Sequence, residues 1–100
     1  MSVDEEIRRR LAPLDAQRID LVDDSARHRG HAGWREGGAT HWRLVIVSAK
    51  FADLSQVARH RLVYEALGDL MRAPIHAIEI AAHAPGEPGA GTGAGRNPAA

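Results

Sequence analysis

HWRLVIVS, residues 41–48, carries the strongest strand signal in the chain, with an aromatic and three β-branched residues packed into eight positions. Such side chains fit a pleated, half-buried surface. The next segment reads as a helix. Asp53 or Ser55 is placed to cap it, and it runs to about Arg72 and stops before Pro74. At ~100° per residue, Val57, His60, Val63, Tyr64, Leu67, Leu70 and Met71 share one arc. Arg61, Glu65, Asp69 and Arg72 fall outside it. IHAIEI, residues 75–80, then alternates as a strand, with Ile75, Ala77 and Glu79 on one side and His76, Ile78 and Ile80 on the other. Strand, helix and strand in this order predict a right-handed crossover and a parallel pair.

Toward the N-terminus, RIDLVD, residues 18–23, roughly alternates polar and apolar. It is expected to pair antiparallel with residues 41–48 across a long glycine-rich loop. Ser2 and Glu5 have the spacing of a capping box. Val3, Ile7, Leu11 and Leu14 come next at helical spacing, and Pro13 ends that helix near Ala12. Acidic residues open it and Arg8, Arg9 and Arg10 come late, which matches the helix dipole. The predicted order is α-β-β-α-β. The fold class is α+β, a small three-stranded mixed sheet with helices on one face.

One hundred residues are expected to form one domain, over residues 1–84. Residues 85–100, PGEPGAGTGAGRNPAA, contain no large apolar side chain and are expected to be a disordered tail. Thirteen basic residues balance thirteen acidic ones, so any nucleic-acid surface must be local. No cysteine is present, which excludes disulfides and any thiolate metal site built from this chain alone. No apolar run approaches membrane-spanning length, and a soluble cytoplasmic protein is expected.

Nothing in the sequence supports catalysis, and a non-enzyme is expected. The serines lack a nucleophile-elbow context, and no carboxylate pair has diagnostic spacing. Asp23 and Asp24 read as a solvated turn. Gly30-His31-Ala32-Gly33 matches the backbone-clamping GxxG pattern, but it joins two predicted strands where that motif joins two helices. His28 and His31 could ligate a metal, yet on the residues alone they read as solvated loop histidines. His41 begins a strand. His76 shares a face with Ile78 and Ile80 and, on alternation alone, reads as a hydrogen-bonded core histidine. Arg59 and Arg61 flank the apolar arc, with a buried His60 between two solvated arginines.

The arrangement DDSARHRGHAG … THWRLVIVSAKF … VARHRLVYEALGDLM … IHAIEIAAHAP resembles the BolA family over about residues 14–85. The matching pieces are Ser25-x-x-His28-x-Gly30-His31, Thr40-His41-Trp42, Val45 to Ser48, Phe51, RHRLVYEAL and IHAI. Trp42 stands where the family usually has phenylalanine, and Asp53 where it usually has glycine. The resemblance implies a KH-like fold and association with a monothiol glutaredoxin. The two proteins would hold a bridging 2Fe-2S cluster in iron homeostasis. A glutaredoxin cysteine and glutathione would ligate one side. On the other, the resemblance implies His76 and a loop histidine, His28 or His31, with His41 in reserve. The competing expectation is a DNA-binding transcriptional regulator that reads through Arg59 and Arg61.

Overall fold

The computed structural model describes residues 2–28 and 38–90. Five main elements occur in the expected order: α1 (Val3–Leu11), β1 (Arg18–Asp23), β2 (His41–Val47), α2 (Gln56–Leu67) and β3 (Ala77–His83). The sheet has the order β1-β2-β3, with β2 antiparallel to β1 and parallel to β3. No helix among the described residues is long and apolar enough to cross a membrane.

α1 starts at the expected capping box. The Glu5 N–H donates to Ser2 Oγ at 3.1 Å, and the Ser2 N–H donates to Glu5 Oε1 at 2.9 Å. A single 3₁₀ turn, Ala12–Leu14, carries the chain past Pro13. The arginine triplet is used within the fold: Arg8 pairs with Asp4, Arg9 and Arg10 pair with Glu6, and Arg10 also donates to the Leu67 carbonyl at 2.9 Å. Ile7, Leu11, Leu44, Ile46, Phe51, Val63, Leu67 and Ile75 are fully or almost fully buried and form one core. Trp42 joins that core. The opposite sheet face leaves Val22, Arg43 and Glu79 exposed.

Three expectations are corrected. First, β3 begins at Ala77, two residues later than its alternation predicts. Ile75 is buried ahead of the strand, and His76 sits in a bend and is exposed, so it is not a core histidine. Second, α2 is rotated about its axis. Its buried side chains are Arg59, Val63 and Leu67, whereas Val57 and Tyr64 are 60% and 42% exposed. His60 is half-buried. The arc counted Arg59 as polar and therefore outside. Its guanidinium is instead satisfied internally, by the carbonyls of Leu54 at 3.0 Å and Ala82 at 3.1 Å and by both Glu87 oxygens at 2.6 and 2.8 Å.

Third, the folded unit extends beyond residue 84. Ala90 is buried, its carbonyl accepts from Arg18 at 2.7 Å, and Glu87 also accepts the Ala84 N–H at 2.9 Å. The polar composition that predicts disorder is offset here by one buried arginine, which recruits Glu87. Residues 91–100 lie outside the described residues.

Candidate functional site

The C-terminal end of β1, the N-terminal end of β2 and the bend before β3 meet at one end of the sheet. The Thr40 carbonyl joins them. It accepts the N–H groups of His76 at 2.8 Å and Ala77 at 3.1 Å, which sets His76 beside His41. The two imidazoles lie 5.3 Å apart between centres, tilted by 50°. His41 is buried and His76 is exposed.

A polar clasp supports this pair. Asp23 Oδ1 accepts the Ser25 N–H at 3.0 Å, and its Oδ2 accepts the Ala39 N–H at 3.0 Å, so one carboxylate ties both ends of the β1–β2 connection. The buried Ser25 Oγ accepts the N–H groups of Thr40 at 3.0 Å and His41 at 3.1 Å. Thr40 Oγ1 lies 3.3 Å from Ser25 Oγ and 2.9 Å from His41 Nδ1. Burial opposes the Asp23 charge, but hydrogen bonds from the Ser25 hydroxyl and from the Ser25 and Ala39 N–H groups, with the field of His41, hold its carboxyl below the usual range. Gly38 has φ +82°, and a Cβ there would meet Asp23 Oδ2 at 3.0 Å, so the clasp needs glycine at that position. Trp42 Nε1 donates to the Ala39 carbonyl at 2.9 Å and closes the other side.

Of the expected site residues, the structure brings His41 and His76 together. His28 ends a short 3₁₀ turn, Ser25–His28, and its side chain lies outside what is described; His31 lies outside the described residues altogether. Arg59 and Arg61 form no shared basic surface, because Arg59 is 5% exposed and bound internally while Arg61 is exposed. Among the described residues, no three His, Cys, Asp or Glu side chains converge on a metal position. What they offer is a pair of imidazoles. A metal with ~2.1 Å bonds to one nitrogen of each of two imidazoles places the ring centres on the order of 5 Å apart, so the observed spacing suits a two-nitrogen half-site.

Sequence reading missed the clasp. It took Asp23 as a solvated turn and Ser25 only as part of a motif. The available signal was an aspartate two residues before a serine, which favours a side-chain-closed turn.

The BolA-like protein family model matches residues 11–87. An uncharacterized protein from the cobS 5' region of Sinorhizobium sp is 38% identical over 88% of this chain and 97% of its own. Mouse BolA-like protein 1 is 36% identical over 74% of this chain; the match spans about half of that longer relative, 51%. Among solved structures, the BolA domain of SufE1 from Arabidopsis thaliana has a TM-score of 0.74 at 38% identity, covering 85% of this chain and 94% of that one. The solution structure of mouse BolA1 has a TM-score of 0.71 at 37% identity, covering 85% and 67%.

Proposed function

Because this chain belongs to the BolA-like family, we propose that it partners a monothiol glutaredoxin in iron–sulfur and iron homeostasis, the two proteins sharing a bridging 2Fe-2S cluster. His76 would give one bond to the cluster and a second histidine the other. The observation that carries this reading is the 5.3 Å spacing of the His41 and His76 rings beside an exposed His76. The spacing favours His41 as the second donor, with His28 and His31 as its competitors. Two imidazoles on one iron are a known alternative to two thiolates, and they raise the reduction potential. The absence of cysteine from this chain fits a cluster whose thiolates come from the glutaredoxin and from glutathione.

The DNA-binding alternative has lost a main support, since Arg59 is committed to Glu87 and to two carbonyls inside the fold.

The test is to mix the protein with a cluster-loaded monothiol glutaredoxin and glutathione and to record visible circular dichroism. A new spectrum is expected with wild type, and none with His76→Ala. His41→Ala, His28→Ala and His31→Ala identify the second donor by which of them loses the same signal. A spectrum unchanged in His76→Ala overturns the assignment.

A further inference from the structure

The two edges of the sheet are built differently. β1 carries charge at Arg18, Asp20 and Asp23, the kind of device that keeps an edge strand from pairing with another chain. β3 holds no lysine, proline or glycine; Glu79 is its only carboxylate and His83 its only base. Among the described residues no strand pairs with its outer side. The second helix adds to that edge. α1 packs over β1 and α2 over β3. Arg10 of α1 reaches the Leu67 carbonyl and Asp69, so that flank of α2 faces α1. At ~100° per residue, Val57 and Tyr64 lie across the buried stripe of Arg59, Val63 and Leu67 from Asp69, on the flank above the outer side of β3. Both are exposed large apolar side chains. A strand edge beneath an apolar helix flank is built to receive one more strand.

β3 itself has the sequence that fits. Ile78 and Ile80 face the helix layer, while Glu79, Ala81 and His83 face the open side. We propose that β3 pairs antiparallel with β3 of a second copy of this chain, with Ala81 opposite Ala81 on the two-fold axis. That register sets Glu79 of each copy opposite His83 of the other, and Ile80 opposite Ala82. Glu79 on the axis would instead set two carboxylates face to face, which destabilises a strand pair. The added strand brings its Ile80 beneath the flank of Val57 and Tyr64. The paired stretch, residues 79–83, stops short of His76, so the inference stands apart from the proposed cluster.

The experiment is sedimentation equilibrium of the full chain, without iron, glutaredoxin or glutathione, from roughly 1 μM to 1 mM. Wild type should form a reversible dimer. Glu79→Lys removes both attractive pairs and should raise the dimer Kd about tenfold. Val57→Glu with Tyr64→Glu charges the overhanging flank and should leave a folded monomer, with far-ultraviolet circular dichroism checking the fold. Because the chain has no cysteine, Ala81→Cys is a single-site probe of the axis. Mild oxidation should link two copies through it, since directly opposed strand residues suit disulfide geometry. Val22→Cys, exposed on β1, should stay unlinked. A wild type that is monomeric at every concentration overturns the proposal and leaves the edge to a strand of another protein. A dimer that Val22→Cys links as fast as Ala81→Cys overturns it too, as does a dimer unweakened by Glu79→Lys.

Discussion

Asp53 adopts φ +67°, a left-handed backbone that costs an ordinary L-residue ~1–2 kcal/mol and glycine almost nothing. This is the backbone conformation that would favour the glycine expected there from the family resemblance. Aspartate is one of the few other residues that tolerate the conformation, through local hydrogen bonding of its short side chain. Asp53→Gly should leave stability unchanged or raise it by up to ~1 kcal/mol, because lost backbone strain is partly offset by a more flexible unfolded chain. Asp53→Val should lower it by ~1–2 kcal/mol, since a β-branched residue fits this region poorly. Urea denaturation of the three proteins checks both signs. His60 departs from its reading as a buried side chain. It is half-buried, and no hydrogen bond to its ring occurs among the described residues. His60→Ala should therefore cost under ~1 kcal/mol, the range of substitutions that leave no cavity and no orphaned partner.

At the scale of elements, Ser55 ends the ambiguity over where α2 begins. Its Oγ accepts the Ala58 N–H at 3.1 Å, while Asp53 lies upstream of the cap. Ser55→Ala should cost ~1 kcal/mol, measurable as a lowered denaturation midpoint with little change in far-ultraviolet circular dichroism at native conditions. Element order, sheet pairing and the α1 cap were legible because each depends on local spacing: the Ser2–Glu5 box, the alternation of residues 18–23, and the β-branched run after His41. The rotation of α2 was not, because it depends on a carboxylate far along the chain that makes Arg59 a core residue. The start of β3 was displaced for a similar reason, since the His76 N–H is held by the Thr40 carbonyl. His41 and His76 were both legible as candidates. The clasp that positions His41 was not, because Asp23, Ser25 and Thr40 meet only once β1 and β2 have paired.

For the molecule as a whole, the Arg59–Glu87 pair fixes the C-terminal boundary. The Arg59 hydrogen bonds, helped by the Ala84 N–H, hold the Glu87 carboxyl down at about 2, against an ordinary value of 4.5. A carboxylate depressed by folding stabilises the native state above its unfolded pKa and loses that contribution as pH falls through the folded one. Wild type should therefore lose stability between pH 4.5 and about 2 from this group. Glu87→Gln should be less stable at neutral pH and flatter across that window. Thermal melts of both proteins along a pH series isolate the Glu87 share from those of the other carboxylates. Deleting residues 85–100 should be more damaging than Glu87→Gln, because it also exposes the surface under Ala90 and removes one of the acceptors of Arg18.

The Asp23 clasp decides which changes this scaffold tolerates. Because one carboxylate fastens both Ser25 and Ala39, the connection is pinched shut at its base. Closing a loop twice as long adds only ~0.6 kcal/mol. The number of residues between the two anchors can therefore change at small cost with the strand register left in place, whereas a change at Asp23 or Gly38 undoes the closure itself.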